Sequence, residues 1–316
     1  MVKNLTAGKR RSSSECFRLG GKLFYCLMLI LPLAQFCVFY IGVNVNNIAL
    51  AFKKYDVINN AVYPNGFNNF KMIFDVYKSQ DILRKSLRYS FIFFGLNLFV
   101  TVPLTLLFAY YIFKKFRFAG FFKIMLFLPS VISAMVFVLF YKFWAENGVA
   151  EMLANEFKFF ELSEGLLRNP KTMKGSLIFF NLLMSFSSMI LIYINAMTQI
   201  STSCLEAADI DGAGEIRKFF SIVIPSIWPT LVSFILIALA GFATNQANIL
   251  SLYGDWGLSS GPSTLGYYLY ELVYCTQFGA SYYPYAAALG IFLTVIIAPI
   301  TLIARWALNK FGPRDF

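Results

Sequence analysis

Side chains able to do chemistry are few in this chain and unevenly placed. None of its 316 residues is histidine, which removes imidazole metal sites and histidine-dependent nucleophile triads. The five cysteines (Cys16, Cys26, Cys37, Cys204, Cys275) form no Cys-x-x-Cys pair and read as free thiols. Gly20-Gly21-Lys22 lacks the first glycine and the final hydroxyl of a phosphate-binding loop. No catalytic residue and no metal ligand is therefore expected. Carboxylates gather in two places: Glu146, Glu151, Glu156, Glu161 and Glu164, and then Glu206, Asp209, Asp211 and Glu215 beside Arg217 and Lys218. Mixed charges on a short stretch suit ion pairing and docking rather than proton transfer. A third group is neutral: Asn181, Ser185, Ser187, Ser188 and Asn195, then Thr244, Asn245, Gln246 and Asn248, all inside apolar surroundings.

The elements that must hold these residues are apolar. Hydrophobic residues make up 58% of the chain, aromatic residues 18% and charged residues only 14%, and the mean hydropathy is +0.64. A soluble domain carries about a quarter charged residues, and this much apolar side chain cannot be hidden in a water-soluble globule of this length. Six apolar runs stand out at about 23–43, 89–113, 119–143, 176–197, 226–250 and 285–308. Each is long enough to cross a hydrocarbon core of about 30 Å, and in lipid each must be a helix, because its backbone groups have no other partner. The expected fold is therefore all-α membrane with six transmembrane helices. A tail of 1–22 precedes a transmembrane domain of 23–308, and a tail of 309–316 follows it. Pro32, Pro103, Pro129 and Pro299 are expected as tolerated kinks within spans. The first run lacks a small-x-small cleavage site and reads as an uncleaved span.

Lysine and arginine set the orientation. Six basic residues precede residue 23, four lie in the 114–123 turn (Lys114, Lys115, Arg117, Lys123), and Arg305, Lys310 and Arg314 lie at the far end. The 251–284 loop carries none, while the 44–88 loop runs against the trend with seven. Both termini are expected on the cytoplasmic side of a plasma membrane. The net charge of +11 is thus explained by anchoring at the ends of apolar runs, and no nucleic-acid partner is expected. Residues 149–160 read as a surface-lying amphipathic helix ahead of a turn at Asn169-Pro170. Residues 264–278, short and interrupted by Glu271, read as a re-entrant or interfacial helix.

Residues 199–225 are too long and too polar for a simple turn between spans. Ser201 to Ser203 offer hydroxyl caps for a helix starting near Cys204, and Glu206 and Asp209 suit its first turns. Gly212 supplies either a left-handed cap or a point of close backbone approach. Phe219, Phe220, Ile222 and Ile224 then form an interfacial stretch, and Pro225 opens the next span.

Glu206-Ala207-Ala208, Gly212 three residues on, and Ile222-x-Ile224-Pro225 after nine more resemble the E-A-A-x3-G-x9-I-x-L-P loop of ABC importer permeases. Ile224 stands where the pattern has leucine. Asp211-Gly212-Ala213 within the loop looks like the carbohydrate branch, the maltose- and glycerol-phosphate-type permeases. Leu128-Pro129, Trp144, Asn69-Phe70 and the Tyr283-to-Ala288 string are similar to that group as well. The resemblance implies the type I ABC importer permease fold and an inner-membrane subunit that pairs with a second, similar permease. It also implies two ATP-binding subunits, which would hold ATP and magnesium, and an extracytoplasmic binding protein. This chain would then need no cofactor of its own, and its Glu206-to-Asp211 helix would sit in a groove on the ATPase.

For the cargo, a carbohydrate, the expected pathway residues are Asn181, Ser185, Asn245, Gln246 and Asn248, because buried amides and hydroxyls suit a neutral sugar. The same groups also serve to hold helices together. A secondary transporter driven by an ion gradient is the rival reading. It needs charged groups within the spans, whose interiors hold almost none, Lys142 and Arg305 lying near the ends. A membrane enzyme would need clustered acids or histidines. Which carbohydrate is carried is not written in the sequence.

Overall fold

The computed structural model describes residues 13–56, 59, 61–148, 165–254, 261–274 and 279–313. The surface helix expected at 149–160 lies outside the described residues. Apart from one two-stranded ribbon the described chain is helical. Four helices are long and apolar enough to cross a membrane unbroken: α1 (Phe24–Ala51), α3 (Asp81–Phe113), α7 (Met173–Met197) and α13 (Ala280–Phe311). Two more spans arise from bent pairs. α4 (Ala119–Val131) meets α5 (Ala134–Gly148) at 103°, and α9 (Glu215–Ser226) meets α10 (Trp228–Ala243) at 71°. Four of the six expected spans are thus unbroken candidate spans among the described residues, and the count reaches six if each bent pair is one span. The shorter helices are α2 (Asn68–Ser79), α6 (Gly165–Arg168), α8 (Thr202–Ile210), α11 (Ile249–Tyr253) and α12 (Leu265–Tyr274).

The breaks follow from the sequence. Pro129, expected as a tolerated kink, stands two residues before the end of α4, and Ile132 and Ser133 are extended. At 13 residues, α4 rises only about 20 Å, short of the hydrocarbon thickness. The expected straight span at 119–143 is therefore two segments. The run at 226–250 also departs from expectation. Its helix ends at Ala243, and residues 244–248 are not helical. By contrast Pro103 stays inside a continuous helix, while Pro225 stands one residue before the end of α9, at its break with α10. Each follows a widened π turn (Asn97–Thr101 and Phe219–Val223) that absorbs the missing donor.

The core is built around α3, α7 and α13. α7 packs on α3 and α4, α10 packs on α13, and α13 also carries α2. One apolar cluster joins Leu106, Ala109 and Ile112 of α3 to Ile190 and Met197 of α7 and Val223 of α9. α1 is exposed along most of its length, and its main contact with the rest is where Val43–Ala51 packs on α13. Asn69 ties α2 to the end of α1 by donating to the Ala51 and Lys53 carbonyls, each at 2.7 Å. The 44–88 loop also contains the ribbon, β1 (Lys53–Asp56) paired antiparallel with β2 (Ala61–Pro64), which periodicity had not indicated. α12 is too short to span, at about 15 Å, and it is buried rather than laid on a surface: Leu265, Tyr267, Glu271 and Leu272 are all enclosed.

Candidate functional sites: an exposed loop and a polar break

The 199–225 segment folds as a helix, a turn and a second helix. α8 begins at Thr202, two residues before the expected start. The serine hydroxyls do not cap it: Ser201 makes no cap bond and pairs with Ser203 through their hydroxyls at 2.6 Å. The other end is closed by a Schellman motif. The Ala213 amide donates to the Ala208 carbonyl at 2.9 Å and the Gly212 amide to Asp209 at 3.1 Å. This geometry requires a left-handed residue, and Gly212 has φ +72°. Nothing in this chain lies within 4 Å of the position a Cβ would take at Gly212, so the glycine is there for its conformation.

Around this turn the expected residues split into two groups. Glu206, Ala207 and Asp211 are exposed, whereas Ala208 and Ala213 are half-buried. Further on, Ile222 and Ile224 lie half-buried along α9 near its junction with α10, with Pro225 inside the helix. Two large apolar residues that sequence reasoning passed over stand on either side of Gly212: Ile210 is 87% exposed and Ile216 77%.

The loop is fastened to the end of α3 by charge. Lys218 is buried and pairs with both Asp209 and Glu215. Glu215 accepts a 2.5 Å hydrogen bond from the Tyr110 hydroxyl and lies 3.3 Å from the Lys114 ammonium. Burial would raise the Glu215 pKa, but the bonds from Lys218, Tyr110 and Lys114 outweigh it and hold the carboxyl at about 2. The two carboxylates beside Lys218 raise its pKa in turn. Trp228, at the start of α10, donates to the Leu308 carbonyl near the end of α13 at 3.2 Å. The ends of α3, α8, α9 and α13 therefore share one face of the molecule, which also carries Lys114, Lys115, Arg117 and Lys310.

The neutral residues converge on the break after α10. Asn181 of α7 donates to the Ala247 carbonyl at 2.8 Å and to Leu177 at 2.9 Å, and it accepts from Asn248 at 3.0 Å. The Asn245 side chain accepts from the Ala247 amide at 2.8 Å, and Thr264 donates to the Asn245 carbonyl at 2.8 Å. Ala247 and Asn248 both have positive φ, +49° and +53°. Such strain persists only where surrounding bonds enforce it, and here Asn181, Asn245 and Asn248 do so. Among the described residues Gln246 has no side-chain hydrogen bond.

Beside the break lies a half-open cavity of about 360 Å³. Asn97, Ser188, Thr244 and Asn245 line it, together with Phe93, Phe94, Phe234 and Phe242. Asn97, missed in the sequence, has its buried amide oxygen without a partner. It lies in the π turn of α3, and only that distortion signals it. Ser185 lines a smaller recess nearby with Asn97, Asn181 and Asn245.

Residues 84–314 match the family model described as "Binding-protein-dependent transport system inner membrane component". Among curated proteins, the chain is 27% identical over 264 residues to a probable ABC transporter permease protein, YesP, of Bacillus subtilis, covering 80% of each chain. It is 25% identical over 247 residues to MsmF of Streptococcus mutans, the permease protein of a multiple sugar-binding transport system, covering 78% of this chain and 81% of that one. Its fold matches a chain of a bacterial ABC transporter involved in import of the acidic polysaccharide alginate, with TM-score 0.74 and 21% identity over 93% of this chain and 98% of the other. The chain belongs to the family of binding-protein-dependent transport system inner membrane components.

Proposed function

We propose that the chain is one of two permease subunits of an ATP-driven carbohydrate importer, and that residues 206–225 couple it to a separate ATPase. The observation that carries this reading is the rigid α8–turn–α9 unit. It projects Ile210 and Ile216 into solvent on a face otherwise rich in charge, and an exposed apolar pair on an ordered, capped turn is what a partner's groove needs. On this reading Glu206, Ala207, Ala208, Asp211, Gly212 and Ala213 form or shape the docking element. Ile222, Ile224 and Pro225 seat it against the membrane domain. ATP and magnesium are held by two ATP-binding subunits, this chain catalyses nothing itself, and cargo arrives on an extracytoplasmic binding protein.

The basic end bearing the loop faces the cytoplasm of a bacterial cell, with both termini on that side. The cargo is a neutral carbohydrate. Amides and hydroxyls alternate with phenylalanine faces around the cavity at Asn97, and among the described residues no charged side chain lines it; sugars bind such surfaces. Relatives named for arabinooligosaccharide and galactooligosaccharide transport agree with this class. Asn97 and Gln246 are the residues free to meet cargo, whereas Asn181 and Asn248 hold the break in shape.

The test is Gly212→Val in the assembled complex. The variant should insert in the membrane but lose its ATP-binding subunits on purification. Retention at wild-type stoichiometry would refute the coupling role.

A further inference from the structure

Lys218 is the only buried cation among the described residues, its side chain 3% exposed, and it occupies one of the unspecified positions of the Glu-Ala-Ala-to-Pro spacing. Its ammonium is shared between carboxylates of two helices, Asp209 near the end of α8 and Glu215 at the start of α9. Glu215 in turn holds the α3 residue Tyr110, 105 positions away, and Lys114 just beyond it. Three elements thus meet at one buried charge. Without it α9 stays on α3 through Glu215 and the Tyr110–Phe219 ring contact, but α8 loses its charged link to α9 across the 211–214 turn, where both Gly212 and Gly214 have open space around them. Such a turn, left to itself, would bend under load.

We infer that Lys218 is a positioning residue that makes α8, α9 and the end of α3 move as one body. A push on α8 is then delivered to α3 instead of being taken up at Gly212–Gly214. The inference rests on the coupling role proposed above. A buried ammonium cannot leave its carboxylates without being stranded away from water, and charge-assisted hydrogen bonds are the strong kind. α3 is continuous from Asp81 to Phe113. Movement at Tyr110 therefore has a helical path to Asn97, beside the cavity.

The test uses the permease assembled with its partner permease and ATP-binding subunits in lipid nanodiscs. One spin label sits on the native Cys204 of α8 and one on Phe116→Cys beyond α3, with the other cysteines replaced by serine. The distance distribution is measured without nucleotide and after trapping with magnesium-ATP and vanadate. In the otherwise unaltered chain one narrow population with the same mean in both states is expected. Lys218→Met should broaden it and shift its mean on trapping, and Lys218→Arg should restore it. Tyr110→Phe, which removes one hydroxyl and no charge, should broaden it less; it decides the matter if Lys218→Met does not assemble. A population that stays narrow and fixed in Lys218→Met, or in Tyr110→Phe if only that variant assembles, overturns the inference, as does failure of Lys218→Arg to restore it. Gly212→Val separates the two ideas. Its trapping like the unaltered chain would remove the coupling role, whereas a defect in Gly212→Val beside an unaffected Lys218→Met would remove only the role of Lys218.

Discussion

At the scale of single residues, conformation and charge make separable demands on the exposed loop. Gly212 is needed for a positive φ and not for space. Asparagine tolerates that region, whereas a β-branched residue is strained there by about 1–2 kcal/mol. Gly212→Asn should therefore keep most transport and Gly212→Val should lose it, which uptake of labelled oligosaccharides by cells can check. Glu215 makes a different demand. Its pKa is lowered from 4.5 to about 2 in the fold, so its contribution to stability is present above the ordinary value and lost as pH falls toward the lower one. The difference in thermal unfolding between Glu215→Gln and the unaltered chain should stay constant between about pH 5 and 8 and shrink only below about 4.5. Inside the membrane domain, Asn181→Leu would leave Asn248 and the Ala247 carbonyl unpaired, each costing about 1–3 kcal/mol if buried. A lower melting temperature in detergent is expected, and an unchanged one would deny Asn181 its bracing role.

Elements were legible where one sequence signal acted alone. The apolar runs marked four unbroken candidate spans and two bent pairs, and Gly212 after a polar helix marked its end, because length and a left-handed requirement are local properties. What was not legible depended on contacts across the chain. Pro129 and Pro103 look alike in sequence. One breaks its helix and the other is absorbed by the π turn at Asn97–Thr101. Thr244 to Asn248 read as part of a helix because their neighbours are apolar, yet Asn181, 66 positions away from Ala247, pins them open. The pairing of Lys218 and Glu215 with Tyr110 was hidden for the same reason. Gly266 was also missed: a Cβ there would lie 2.4 Å from the Thr244 carbonyl oxygen, so α12 can approach the break only as glycine. Backbone cannot yield as a side chain does, and overpacking costs about 1–3 kcal/mol or more. Gly266→Ala should destabilise the protein and disturb the break together, seen as a lower melting temperature and reduced uptake, while Gly290→Ala, with nothing within 4 Å, should be silent.

For the whole molecule, the proposed function puts the basic end and the pair of exposed isoleucines in the cytoplasm, against a partner. A green fluorescent protein fused after Phe316 should fluoresce, and alkaline phosphatase at the same place should be inactive; the reverse pattern would invert the orientation. The most direct measurement places a photo-crosslinking amino acid at Ile210, the most exposed large apolar residue of the loop, in cells making the full transporter. Irradiation should link this chain to an ATP-binding subunit, identified by mass spectrometry, and Gly212→Val should abolish the adduct. Efficient capture of lipid alone, or an adduct to the ATP-binding subunit unaffected by Gly212→Val, would contradict coupling through residues 206–225.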